Sequence, residues 1–223
     1  MRRSYGEHPD QHVDVYAPAG ARRAVVAVLH GGFWRAPYAA DLMDALCGDL
    51  AAREYEAWNV EYRRLGAGGG WPTTFEDVRA AVAEAGEPFV TLGHSAGGHL
   101  ALWLAAERGA TLAVSVAGVV DLVEAWRLGL SRRAPEELLD GTPDEVPGRY
   151  AEASPAARVP LGVPQLLVHG RRDDTVPAEM SRVYAEQARR SGDAVELVET
   201  DEGHFECLDP ASESWAAILE RLP

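Results

Sequence analysis

The clearest chemical signal in the sequence is a serine set between glycines at residues 93–97. The segment reads Gly-His-Ser-Ala-Gly, and it lies between an apolar run at 89–92 and a helix-like run at 99–106. A serine on such a sharp strand-to-helix turn presents its hydroxyl clear of the sheet. We therefore expect Ser95 to be a nucleophile. The flanking glycines are needed because a Cβ there would strike the neighbouring strand and helix.

A serine hydroxyl is a weak nucleophile, so it requires a base and an acid that orients the base. Asp173 and His204 follow Ser95 in the chain order that serine sites on such turns use. Each lies just beyond a short apolar strand, at the edge of a parallel sheet where sites of this kind form. We expect Asp173 to be the acid and His204 to be the base.

Two other aspartates could supply the acid. Asp174 is the neighbour of Asp173, and we interpret it as a turn or capping residue ahead of Val176 and Pro177. Asp121 follows a strand-like stretch and could instead cap a short helix that begins at residue 122. We therefore prefer Asp173. Among the seven histidines, only His204 combines the expected chain order with a loop position.

Reaction at a carbonyl also requires donors for the oxygen that becomes negatively charged. A His-Gly-Gly-Phe-Trp segment at 30–34 directly follows the most apolar strand of the chain. Its glycines let the backbone come close to a substrate oxygen, so the expected donors are the N–H groups of Gly32, Phe33 and Ala96. The candidate lining of a substrate pocket consists of three aromatic residues in loops and in the insert described next, Trp34, Trp71 and Trp126.

Strand-like and helix-like segments alternate along the chain. The expected strands are 11–17, 23–29, 57–62, 89–92, 112–117, 164–168 and 194–199, and the expected helices are 41–53, 72–85, 97–107, 178–190 and 212–221. This alternation predicts an α/β fold, a doubly wound, mostly parallel sheet flanked by helices, in a single domain over 1–223. The proline-rich stretch at about 121–160 predicts a small helical insert, which either walls the site or packs outside the sheet.

Composition narrows the partners. The formal net charge of −14 disfavours binding to nucleic acid or to an anionic membrane. The start of the chain has no apolar signal segment, so we expect a cytoplasmic protein. Cys47 and Cys207 are then expected to be free thiols. No zinc-type spacing is present, and the expected chemistry requires neither a metal nor another cofactor. The oligomeric state stays open.

These motifs resemble those of the α/β-hydrolase superfamily, and the resemblance covers residues 13–222. The HGGFW and GHSAGG pair is similar to the small esterase branch that includes bacterial feruloyl-esterase-like proteins and kynurenine formamidases. The resemblance implies an α/β-hydrolase fold with Ser95 as nucleophile, Asp173 as acid and His204 as base. The segment from His169 to Pro177 resembles the acid loop of prolyl-oligopeptidase-type hydrolases.

The departures from these relatives favour an esterase. Phe33 stands where formamidases usually carry an aromatic hydroxyl, and Ala96 stands where oligopeptidases usually carry tyrosine. The resemblance therefore implies a serine esterase that cleaves small or aromatic carboxylic esters through an acyl-enzyme. Two alternatives stay open, an amidase that resembles the arylformamidases and a non-hydrolytic binding protein built on the same fold.

Overall fold

The computed structural model describes residues 1–223, and its strands form one eight-stranded sheet. The strands are β1 (Arg2–Ser4), β2 (His12–Tyr16), β3 (Val25–Leu29), β4 (Glu56–Val60), β5 (Phe89–His94), β6 (Leu112–Val116), β7 (Gln165–Gly170) and β8 (Val195–Thr200). Their order across the sheet is β1-β2-β4-β3-β5-β6-β7-β8. β3 to β8 run parallel to one another, and β2 pairs antiparallel with both β1 and β4.

The central strands are apolar on both faces because helices cover both sides of the sheet. All five residues of β3 are buried. Val25, Ala27 and Leu29 belong to one core cluster, whereas Val26 and Val28 belong to another on the opposite face. Alternate residues of a strand point to opposite faces, so one uniformly apolar strand supplies two separate cores.

Nine α-helices accompany the sheet: α1 (Asp44–Ala52), α2 (Thr73–Ala81), α3 (Ala96–Arg108), α4 (Leu122–Arg127), α5 (Ala134–Leu139), α6 (Pro147–Ala153), α7 (Pro155–Arg158), α8 (Ala178–Arg190) and α9 (Glu213–Leu219). Helices α2, α3 and α8 contribute to the larger core, and α1 and α9 contribute to the smaller one. None of these helices combines the length and the apolar composition that a membrane crossing requires.

The doubly wound, mostly parallel sheet expected from the sequence is confirmed, with differences at the element ends. β1 was not predicted, because its three residues are polar and exposed and its ladder to β2 is a tertiary contact. The helix expected over 41–53 begins as a 3₁₀ turn at Ala40–Met43, and the helix expected to reach residue 85 ends at Ala81. Cys47 and Cys207 are both buried free thiols.

The insert consists of four short helices, α4 to α7. Between α4 and α5 the chain makes a left-handed turn in which Ser131, Arg132 and Arg133 all have positive φ, at 44°, 57° and 58°. Such conformations cost about 1–2 kcal/mol per residue and persist only where neighbouring contacts hold them. One such contact is Arg35, which donates to the Ser131 carbonyl at 3.1 Å and to the Glu137 carboxylate at 2.5 Å. The insert is thereby attached to Arg35, the residue that directly follows the glycine-rich segment at 30–34.

Candidate active site

Ser95 occupies the turn between β5 and α3 in a conformation that few non-glycine residues adopt. Its φ is 56° and its ψ is −118°. Backbone hydrogen bonds hold the turn from both sides, because the Ser95 N–H donates to the Val116 carbonyl at 2.8 Å and its carbonyl accepts from His99 at 3.2 Å. The Ser95 side chain makes no capping hydrogen bond to α3, so its own helix leaves the hydroxyl free.

The two glycines of the Gly-His-Ser-Ala-Gly segment are required by space. A Cβ on Gly93 would lie 2.0 Å from the Gly97 carbonyl oxygen, and one on Gly97 would lie 2.0 Å from the Leu29 carbonyl oxygen. No side chain can be accommodated at such distances without moving the backbone. The turn that presents Ser95 therefore depends on close contact between β5, α3 and the end of β3.

Asp173 and His204 meet although 31 residues separate them along the chain. His204 Nδ1 lies 2.7 Å from Asp173 Oδ2, and both side chains are almost fully buried. The second oxygen, Asp173 Oδ1, accepts the N–H groups of Thr175 and Val176 at 2.9 and 2.8 Å. The carboxylate is therefore fixed in orientation by its own loop while it faces the imidazole.

A second histidine also holds Asp173. His169 Nε2 lies 3.1 Å from Asp173 Oδ2 and 2.9 Å from the Val176 carbonyl, and its Nδ1 lies 2.7 Å from the Ser181 hydroxyl. These partners fit the tautomer in which Nε2 carries the proton and Nδ1 accepts from Ser181. Nothing in the sequence singles out His169 for this task beyond its position four residues before Asp173.

The electrostatics of Asp173 favour the ionised form. Burial acts to raise the pKa of this carboxyl, but hydrogen bonds from His169 and His204 outweigh it, and the pKa lies well below its ordinary value. Asp173 is therefore a carboxylate at every pH near neutrality. A carboxylate in this position can accept a hydrogen bond from His204 Nδ1 and would stabilise an imidazolium there.

The two competing aspartates have other contacts. Asp121 caps α4, and its Oδ1 accepts the N–H groups of Val123 and Glu124, each at 3.0 Å. Asp174 is exposed and accepts only from the Thr175 hydroxyl, at 3.2 Å. Neither contacts a histidine, which supports Asp173 among the three candidates.

The glycine-rich segment at 30–34 lies against the turn that carries Ser95. A Cβ on Gly31 would lie 3.0 Å from Ser95 Cβ and 2.9 Å from His94 Nδ1. Gly32 and Phe33 have positive φ values of 103° and 49°, and neither of their N–H groups donates to another backbone group. The N–H of Ala96 is at the start of α3, where helical donors have no intrahelical partner. Three free donors thus lie on the two segments that adjoin Ser95.

A buried hydrogen bond and a ring stack hold the glycine-rich segment in place through His30. His30 Nε2 lies 3.0 Å from Glu61 Oε1, and the ring stacks on Tyr62 with centroids 4.4 Å apart. Burial acts to raise the pKa of Glu61, but the hydrogen bond from His30 and neighbouring donors lower it overall. Glu61 Oε2 also accepts the N–H of Ala40 at 3.0 Å, so one carboxylate joins the segment at 30–34 to the following 3₁₀ turn.

His94 and Cys207 hold the backbone of His204. His94 Nε2 donates to the His204 carbonyl at 2.8 Å, and the Cys207 thiol donates to the same oxygen at 3.0 Å. The rings of His94 and His204 are 4.6 Å apart. Burial lowers the pKa of His94 to about 3, so His94 is neutral and its donor is kept throughout the physiological range. No hydrogen bond joins Ser95 Oγ to His204, and the contact between the two segments is made by His94, the residue before Ser95. In such sites that bond often forms only with substrate.

The candidate pocket tryptophans have different environments. Trp34 is completely buried, edge-on to His99 with ring centroids 5.2 Å apart, so it is a core residue with no surface to offer a ligand. The expectation that it lines a pocket is wrong for this conformation, because its ring turns inward from the loop. Trp71 is half-buried against Phe75, and Trp126 is half-buried, with its Nε1 donating to Glu136 at 2.7 Å.

The protein also has an apolar cavity whose lining includes none of these three tryptophans. It has a volume of about 410 Å³ between the insert and α8, and its lining includes Leu128, Met180 and Tyr184. Neither Ser95 nor His204 contributes to it, and its nearest link to the site is Pro177, at the end of the Asp173 loop. This apolar cavity is therefore separate from the hydrogen-bonded pair of Asp173 and His204.

The buried residue His99 is expected to make the stability of the protein depend on pH. Burial lowers the pKa of His99 to about 4, and the unfolded value is about 6.5. Between these values the unfolded chain binds the proton and the folded chain does not, so this contribution to stability is lost as the pH falls below about 6.5. The free energy of unfolding of the wild-type protein is therefore expected to fall between pH 7 and pH 5. We expect this fall to be smaller by about 2 kcal/mol in His99→Gln, as measured by urea unfolding at the two pH values.

Glutamine is chosen because its amide can still donate to the Ala153 carbonyl, the partner of His99 Nε2 at 2.9 Å. His94 titrates in both proteins, so its contribution cancels in the comparison. An unchanged difference between pH 7 and pH 5 would show that the pKa of His99 is not lowered in the folded protein.

The sequence matches the BD-FAE family over residues 13–187. Among curated proteins it is 29% identical over 221 residues to Esterase LipC of Mycobacterium tuberculosis (strain ATCC 25618 / H37Rv), an alignment that covers 83% of this chain and 54% of that protein. The chain thus spans about half the length of this relative.

Solved structures share the fold. A truncated carbohydrate esterase from gut microbiota superposes with a TM-score of 0.81 at 19% identity, covering 99% of this chain and 94% of that one. A thermophilic esterase from the planctomycete Thermogutta terrifontis superposes with a TM-score of 0.75 at 23% identity, covering 99% and 89%. At these identities the likeness establishes the fold, and the chemistry has to be argued from the site itself.

Proposed function

This chain belongs to the BD-FAE family, and we propose that it is a serine esterase that cleaves carboxylic esters of small or aromatic substrates. The proposed residues are Ser95 as nucleophile, His204 as base and Asp173 as acid. The observation that carries the proposal is the 2.7 Å contact between His204 Nδ1 and Asp173 Oδ2, together with the strained strand-to-helix turn of Ser95, whose preceding residue His94 contacts His204.

The first half of the reaction is acylation. His204 Nε2 takes the proton of Ser95 as Oγ attacks the ester carbonyl, and the Asp173 carboxylate stabilises the imidazolium that results. The carbonyl oxygen becomes an oxyanion, which the N–H groups of Gly32, Phe33 and Ala96 would hold. When the tetrahedral intermediate collapses, His204 gives its proton to the leaving alcohol oxygen, and the acyl group stays on Ser95.

The second half is deacylation. Water takes the place of the alcohol, His204 removes a proton from it, and the hydroxide attacks the acyl carbonyl. The same three N–H groups would hold the second oxyanion. Collapse returns the proton to Ser95 and releases the carboxylic acid. The acyl-enzyme keeps no part of the alcohol, so the rate of this half depends on the acyl group alone.

The names of the similar proteins support this proposal. Esterase LipC and the thermophilic esterase of Thermogutta terrifontis are both named for ester hydrolysis, and the gut enzyme is named a carbohydrate esterase. The same relatives support a small-molecule ester as the substrate.

A fluorophosphonate probe tests the nucleophile and the reaction class together. We expect stoichiometric labelling of the protein, with the adduct on the peptide that contains Ser95, and prior heat denaturation should abolish it. An active protein should then hydrolyse p-nitrophenyl acetate, butyrate and octanoate, with the shorter chains preferred. Faster turnover of N-formylkynurenine than of any ester would instead indicate the formamidase activity, and absence of labelling would indicate a binding protein.

A further inference from the structure

Phe205 is the most exposed aromatic residue of the chain, and it directly follows the proposed base. Its side chain is 60% exposed, whereas His204 beside it is almost fully buried. The Phe205 ring is edge-on to the His204 ring with centroids 5.0 Å apart, and it lies 5.8 Å from the ring of His94. The contacts with these two histidines account for one side of the Phe205 ring. Its other side faces solvent and has no packing partner.

The reaction itself determines which part of an ester lies near this ring. His204 hands its proton to the leaving alcohol, so the alcohol oxygen must come within hydrogen-bond distance of His204 Nε2. The group attached to that oxygen therefore departs on the His204 side of the site. With ring centroids only 5.0 Å apart, the Phe205 ring lies within contact distance of a ring attached there.

We propose that Phe205 is the binding surface for the leaving alcohol and that it selects alcohols that carry a ring with an apolar face. The inference rests on the proposed function, since it assigns a part of the same ester to a part of the same site. An aryl alcohol and a sugar both present such a face. The exposure of the ring also allows an alcohol much larger than the acyl group, because the open side of Phe205 faces solvent.

Acetate esters that share one acyl group isolate the alcohol. Ethyl acetate, phenyl acetate and an acetylated methyl glycoside are compared between the wild-type protein and Phe205→Ala. We expect kcat/KM to fall about 10-fold for phenyl acetate and for the glycoside and to change less than about 2-fold for ethyl acetate, since ring stacking is worth about one factor of ten. Each comparison uses one substrate with two proteins, so the intrinsic reactivities of the esters cancel.

Two variants serve as controls. Phe205→Tyr keeps the ring and is expected to retain the preference for ring-bearing alcohols. Leu128→Ala removes a side chain of similar exposure, 49%, from the cavity beside α8 and is expected to change none of the three rates.

Partitioning of the acetyl-enzyme between water and added methanol should be the same in wild type and Phe205→Ala to within about 2-fold, because the acyl-enzyme no longer holds the first alcohol.

The outcomes separate the inference from the proposed function. An equal loss on all three acetates would overturn the inference, because Phe205 would then act on His204 and not on the alcohol. Unchanged rates on all three would overturn it as well. A loss confined to phenyl acetate or to the glycoside would support it and identify the alcohol as aryl or sugar. If the wild-type protein hydrolysed no ester and took no fluorophosphonate, the proposed function would fail and the inference with it.

Discussion

Ser95→Ala is expected to lower kcat/KM for ester hydrolysis by about 10³-fold or more while the protein stays folded. The variant keeps the donors that hold an oxyanion, so some catalysis above water would remain, as it does when serine hydrolases lose a triad member. Alanine also fits the turn, since Ser95 makes no side-chain capping bond. Steady-state rates on p-nitrophenyl acetate, with circular dichroism as a check of folding, measure the effect.

Ser115→Ala is the matched control. Ser115 lies on β6, next to β5, the strand that leads to Ser95, and its buried Oγ has no hydrogen-bond partner. Losing that hydroxyl removes no hydrogen bond, so we expect activity close to that of the wild type. Substantial turnover by Ser95→Ala with an unchanged spectrum would remove Ser95 from the role of nucleophile.

Asp173→Asn is expected to lower kcat by about 10⁴-fold, the loss measured for the equivalent change in trypsin. The structure gives the reason. The N–H groups of Thr175 and Val176 point at Oδ1, so the amide oxygen would take that place and the amide nitrogen would face His204. His204 Nδ1 must then accept a hydrogen bond from this amide, so the imidazole proton lies on Nε2. A protonated Nε2 cannot take the proton of Ser95.

The other two aspartates provide internal controls. Asp174→Asn changes an exposed side chain and is expected to keep most of the activity. Asp121→Asn should do the same, because asparagine caps helices about as well as aspartate. Should Asp121→Asn prove inactive and Asp173→Asn active, the acid lies after β6, and the assignment made here is wrong. The measurement is kcat on one ester across all three variants.

The sequence predicted the sheet and the main helices because their signals are local. Apolar runs predicted the central strands, and Ser95 lies at a strand-to-helix junction that a short pattern suffices to indicate. β1 carries no such signal, since three polar residues become a strand only by pairing with β2. Trp34 was misplaced for a related reason. A loop position is visible in the sequence, but the direction in which its side chain points depends on residues far along the chain.

The contacts that support the candidate site were harder to predict, because they join distant segments. His169 contacts Asp173 across one loop, but Glu61 reaches His30 from the end of another strand, and His94 reaches a carbonyl 110 residues away. Each of these histidines could be described from the sequence only as structural. Their partners are set by the order of the parallel strands, which places the carboxyl ends of β3, β4, β5 and β7 along the same side of the sheet.

His94 and Cys207 both donate to the His204 carbonyl, so changes at these two positions are coupled in any engineering of the protein. The Gly-X-Ser-X-Gly pattern leaves its second position unspecified, so a mutant library designed from the pattern would randomise it. Here that position is His94, which shares the His204 carbonyl with Cys207. Most substitutions at 94 would therefore shift the loop at 203–207 as well. A useful library would diversify residues 94 and 207 jointly and would screen the pairs, since single changes at either position discard variants that a compensating neighbour could restore.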